Sequence, residues 1–149
     1  MARMSTDGLA RLHVDFSELE NLPTSLIDDM LNAQAAVIEK AQKKTAREMG
    51  VWDNDKPEGL IHTADSIKRG KVVKTKGGRA VFVAPQGTVT RGKRKKQTVR
   101  LAEIAFVNEY GTHNQDARPF IKTANERAAP EAVKAAEKIY NEYLTKKGL

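Results

Sequence analysis

Residues 102–123, AEIAFVNEYGTHNQDARPFIKT, join an apolar run, a glycine, a polar loop and a proline-aromatic step, and they constrain the fold more than any other stretch. Leu101, Ile104 and Ala105 recur at helical spacing, and Gly111 stands where a helix C-terminus takes a residue free to adopt positive φ. The pattern predicts a short buried helix with a hard stop. Thr112 to Asp116 has loop composition. Pro119 then fixes its own φ and drives Arg118 extended, and Phe120 and Ile121 return to apolar surface. The stretch is a connector anchored at both ends.

Helices are expected on either side. From Thr24 to Met49 the residues Leu26, Ile27, Met30, Leu31, Val37, Ile38 and Ala41 fall at three and four spacing. Asp28 and Asp29 lie near the start, Lys43, Lys44 and Arg47 near the end, and Gly50 beyond it, an arrangement that suits the helix dipole. Upstream, residues 1–15 read as polar and irregular, and Ser17 with Glu20 fits a capping box stapled by Phe16 and Leu22 before Pro23 restarts the helix. Downstream, Thr123 with Glu126 suggests another capping box. Pro130 predicts a kink or a restart, and Val133, Ala136, Tyr140, Tyr143 and Leu144 mark the expected inner face of a C-terminal helix.

Between the helices, β-branched segments at 66–75 and 79–85 flank Lys76-Gly77-Gly78, a hairpin signal, with Val81, Phe82 and Val83 as the expected strand core. Residues 51–63 read as a loop in which Trp52 covers the core. Residues 86–97 form a long arm, and another strand resumes at Thr98 to Leu101. The fold class is therefore α+β: a long N-terminal helix, a small antiparallel sheet with a long basic hairpin arm, a short helix and a C-terminal helix. A chain of 149 residues without an internal repeat is expected to form a single domain.

The formal charge of +7 is segregated. Lys68 to Arg100 holds twelve of the 26 Lys and Arg and no Asp or Glu, leaving fourteen basic against nineteen acidic residues elsewhere. Five cations crowd the arm tip: Arg91, Lys93, Arg94, Lys95 and Lys96. Such a run repels itself and stays in solvent unless an anionic surface neutralises it. Three readings remain open: a non-specific contact with a DNA backbone, an acidic protein partner, or a solvated hairpin tip. No aromatic residue is interleaved to stack on bases.

Little else carries chemistry. There are no cysteines, which excludes disulfides, thiolate metal sites and cysteine nucleophiles. His13, His62 and His113 are far apart, without the close pair common in zinc sites, and no phosphate loop or nucleophile elbow is present. The carboxylate pairs Asp28–Asp29 and Asp53–Asp55 suit a helix start and a turn. Residues 1–20 lack an apolar signal core, and no window approaches the ~20 apolar residues of a membrane span. The expectation is a binding or structural protein, not an enzyme, with no cofactor and no metal. Glu109 and Arg118 flank the Gly111 loop and are expected either to pair across it or to stand as separate surface charges.

The order apolar-apolar-x-Glu109-Tyr110-Gly111-Thr112, a short polar loop, then Ala117-Arg118-Pro119-Phe120-Ile121-x-x-Ala124 resembles the head-tail joining and tail-completion proteins of long-tailed bacteriophages. The likeness extends to Gly59, Leu60, Ser66 and Ile67, with Glu58 where that family usually has threonine. The resemblance implies a structural virion protein of the neck or tail, made in the host cytoplasm. It further implies a ring of copies through which DNA passes, bound to neighbouring neck or tail-tube proteins. Expected assembly residues are Glu109, Tyr110, Gly111, Thr112, Arg118, Pro119 and Phe120, together with the basic arm. A stand-alone nucleic-acid-binding protein acting through that arm is the alternative.

Overall fold

The computed structural model describes residues 22–51, 63–91 and 95–148, with only the backbone of Arg91. The expectations for residues 1–15, the Ser17–Glu20 box and its staple, Trp52, Asp53, Asp55, Glu58, Gly59, Leu60, His13, His62, Lys93 and Arg94 fall outside these residues. The elements run α1 (Thr24–Glu48), α2 (Thr63–Ser66), β1 (Ile67–Arg69), β2 (Val73–Thr75), β3 (Gly78–Ala80), β4 (Val83–Pro85), β5 (Thr88–Arg91), β6 (Gln97–Arg100), α3 (Leu101–Tyr110) and α4 (Phe120–Lys147). This is the expected α+β architecture.

Helix α1 starts directly after Pro23, whose carbonyl accepts the N–H groups of Leu26 and Ile27 at 3.0 and 3.2 Å. Its other end is a Schellman motif. Gly50 takes φ +72°, Val51 N–H reaches the Ala46 carbonyl at 2.8 Å, and Gly50 N–H reaches that of Arg47 at 3.2 Å. The buried Val51 then joins Ala46, Ala64, Ile67, Ala105 and Phe120 in the core, with Met49, Val83 and Ile121 packed against it. The core thus sits where the end of α1, α2, the base of the sheet, α3 and the start of α4 meet.

The two long helices pack along each other through small side chains. Helix α4 buries Phe120, Ala124, Ala128, Ala132 and Ala136, and α1 buries Leu26, Ala35, Gln42, Thr45 and Ala46. This differs from the expected inner faces: Val133 is 49% exposed, and Val37, Ile38 and Ala41 are only partly covered. Alanine at every fourth position lets the backbones approach closely, so the seam follows the small residues while larger ones lie at its margins. Gln42, 2% exposed, donates from Nε2 to Asn125 Oδ1 at 2.9 Å across the seam. Its Oε1 has no hydrogen-bond partner among the described residues. Pro130 neither ends nor restarts α4, which continues through it as one helix. Pro119, not the Thr123–Glu126 box, precedes its first turn.

The strands form three two-stranded pairs rather than one sheet. β1 pairs with β4 in the register Ile67↔Pro85, and β2 with β3 in the register Val73↔Ala80. Residues 70–72 therefore face only 81–82, an extra residue that makes one bulged ribbon of the four strands, fastened by Gly70 N–H to the Phe82 carbonyl at 2.8 Å. The expected core Val81-Phe82-Val83 is corrected here. Val83 reaches the core, whereas Phe82 is 64% exposed. Neighbouring residues of an extended chain alternate faces, so Val83 inward leaves Phe82 outward. A second ribbon, β5–β6, pairs Thr88↔Arg100 through Arg91↔Gln97 and is the expected arm.

Candidate assembly surface

The arm is rooted in the body at its base. Val89 is buried, and Leu101, the fully buried first residue of α3, donates its N–H to the Gly87 carbonyl at 3.0 Å. β6 runs into α3 without a break, so arm, helix and the following loop form one continuous segment. Thr88, Thr90, Thr98, Lys95, Lys96 and Arg100 are exposed along it.

Helix α3 ends at Gly111, whose φ of 72° and ψ of −178° lie in a region essentially reserved for glycine. Space enforces the same choice, because a Cβ here would stand 2.8 Å from both Ala117 N and Gln115 O. The loop beyond closes on itself: Thr112 N–H reaches the Gln115 carbonyl at 2.8 Å and Gln115 N–H returns to Thr112 at 3.2 Å. Asn108 ties it back to the helix. Its Oδ1 accepts Gln115 Nε2 at 3.1 Å, its Nδ2 donates to the Ile104 carbonyl at 2.8 Å, and its own carbonyl accepts Arg118 N–H.

Glu109 fixes the far end. The residue is 8% exposed, and its carboxylate accepts Ile121 N–H at 2.8 Å and Lys122 N–H at 2.9 Å. These are N–H groups of the first turn of α4, which have no partner within their own helix, and Pro119 offers no side-chain cap. A glutamate of the preceding helix thus does the work of an N-cap, with its charge at the positive end of the α4 dipole. The pair expected as one possibility, Glu109 with Arg118, does not form. Arg118 Nη1 instead donates to the Gly50 carbonyl at 2.9 Å, joining the loop to the end of α1.

This geometry divides the residues expected at an assembly surface. Tyr110, Thr112 and Arg118 are exposed. Gly111 and Pro119 shape the backbone, and Glu109 and Phe120 are interior; Phe120 is completely buried in the core. Nor is α3 the buried helix expected. It buries Leu101, Ala105 and Glu109, while Phe106 (64%), Val107 and Tyr110 (69%) face outward. The Phe106 and Tyr110 rings lie 4.7 Å apart between centroids, tilted by 48°. Phe106 and Val107 were not singled out from the sequence, although the signal is there. Leu101 and Ala105 form one stripe at four-residue spacing and Phe106 and Tyr110 a second, so the helix is apolar on more sides than one core can cover.

The face so presented is apolar and aromatic and stands beside a loop held by the hydrogen bonds of Asn108, Glu109 and Arg118. Among the described residues no group of three or more His, Cys, Asp and Glu is placed to hold a metal, and His113 is exposed in the loop. No described helix is long and apolar enough to cross a membrane. No family model, curated protein or solved structure matches the chain.

Proposed function

We propose that this chain is a structural protein of a bacteriophage neck or tail, joining or completing the tail at the head-tail interface as one copy in a ring through which DNA passes. The observation that carries this reading is the exposed Phe106–Val107–Tyr110 face of α3, presented beside a loop pinned by Glu109, Asn108 and Arg118. Exposed aromatic side chains in a contiguous apolar patch are the usual anchors of protein interfaces. The motif that resembles the joining proteins supplies the same loop: Glu109 and Gly111 shape it, and Tyr110 belongs to the exposed face.

In this reading the protein works by assembly. A ring requires each copy to present two different complementary faces. The α3 face is one; the β5–β6 arm, a two-stranded ribbon with unpaired edges, reaches toward the next copy or the adjoining ring as the other. Its partners are other copies of itself and neighbouring neck or tail-tube proteins, its place is the virion, and it needs no cofactor.

The test is complementation of a phage lacking the gene. Wild-type protein restores joined particles, whereas Phe106→Asp with Tyr110→Asp leaves separate heads and tails while the isolated variant stays folded. A shortened arm, with Asn-Gly replacing residues 92–96 between Arg91 and Gln97, gives the same defect. Removing 87–96 entirely is a poorer test, since it also takes the buried Val89 and the Gly87 carbonyl that holds Leu101. Full joining by both variants defeats the reading.

A further inference from the structure

The two ribbons differ from the rest of the molecule in how their charges are compensated. On the helices, acidic residues are interleaved with the cations and some of them pair: Lys43 with Glu39 at 2.7 Å, Lys44 with Glu48 at 3.8 Å, Arg127 with Glu48 at 3.3 Å, and Arg47 with Asp65. On the ribbons, Arg79 is held by Asp28 of α1. The exposed side chains of Lys68, Lys71, Lys74, Lys76, Lys95 and Lys96 form no ion pair among the described residues. No acidic residue lies between Lys68 and Arg100 to supply one locally.

Both ribbons spring from the same place. β4 ends at Pro85 and β5 begins at Thr88, with only Gln86 and Gly87 between. Lys74 lies directly across the strand pair from Arg79, an unfavourable like-charge juxtaposition that Asp28 relieves only for Arg79. The arrangement is a single-sign field on two extended hairpins. A protein contact along the arm would use its backbone edges, whereas its lysine side chains carry one sign only. That suits a uniform polyanion, and a two-stranded ribbon fits the width of a B-DNA major groove.

We infer that the bulged β1–β4 ribbon and the β5–β6 arm together form a sequence-independent binding surface for the phosphate backbone of duplex DNA, with Lys71, Lys74 and Lys76 contributing as much as Lys95 and Lys96 of the arm. The surface adds a ligand to the ring reading above and stands independently of it. With no stacking aromatic at either tip, affinity comes from counterion release and not from base contacts.

The experiment is fluorescence anisotropy of the full-length protein with labelled random-sequence duplexes over a series of salt concentrations. The expected result is binding indifferent to sequence, with a log-log salt slope that is shallower by about one for each lysine removed. Lys71→Ala/Lys74→Ala/Lys76→Ala and Lys95→Ala/Lys96→Ala each show that loss while keeping the wild-type melting temperature. Absence of binding at low salt overturns the inference. So does an unchanged slope in the β1–β4 variant, or stronger retention on poly-glutamate or phosphatidylserine vesicles than on duplex. Light scattering on the same samples separates the two readings: a ring that ignores DNA defeats this inference alone, and a monomer showing these slopes upholds it while defeating the ring.

Discussion

Removing the Glu109 carboxylate leaves the Ile121 and Lys122 N–H groups without their partner at a partly buried junction. Glu109→Ala is expected to destabilise the fold by about 1–2 kcal/mol in urea unfolding, and Glu109→Gln by less, since an amide oxygen still accepts one bond but carries no charge to the dipole. At Gly111 both the backbone region and the close approach of Ala117 exclude a side chain. Gly111→Ala costs about 2 kcal/mol or more by the same measurement. A near-neutral result at either position means that the loop is not pinned as described. The sequence shows Gly111 as a helix stop because backbone freedom is a property of one residue. The Glu109 cap is hidden because it depends on where the start of α4 lies in space, and no local pattern distinguishes it from a salt bridge to Arg118.

At the scale of elements, Pro130 and Gln42 both work against the helix seam. Pro130 is exposed inside α4 and lacks the N–H that a continuous helix would use there. Pro130→Ala is expected to raise stability by about 1–3 kcal/mol, read as a higher melting temperature; a loss would mean that the seam depends on the proline's geometry. Gln42→Leu removes a buried acceptor without a partner, while the exposed Asn125 regains water, so it is expected to be neutral or stabilising by about 1 kcal/mol. The long helices and the Lys76-Gly77 turn are legible from period and turn chemistry. The inner faces of the helices are not, because the hydrophobic period marks where large residues cluster while the seam selects alanine. The bulge escapes notice for a related reason: one extra residue between β1 and β2 leaves no mark in local composition, and only the partner register reveals it.

For the whole molecule, acidic residues accompany the cations of the helices and are absent from the ribbons, and pH probes the pairs that form. Burial alone would raise the Glu39 carboxyl, but the Lys43 side chain, the Arg69 N–H and the charges of both residues outweigh it and hold its pKa below the ordinary value. A lowered folded value means that this stabilisation is present above the unfolded pKa of about 4.3 and is lost as pH falls through the folded one. Wild type should therefore lose its advantage over Glu39→Gln below about pH 4 in denaturant midpoints, with a difference at neutral pH under about 1 kcal/mol. A gap that stays constant through the acid range contradicts that linkage. The central claim is that copies close on one another through the α3 face, and light scattering with negative-stain imaging across a wide concentration range tests it most directly. The account predicts a discrete oligomer of one size that Phe106→Asp dissociates without unfolding the subunit. A monomer at every concentration, or an oligomer indifferent to Phe106→Asp, would contradict it.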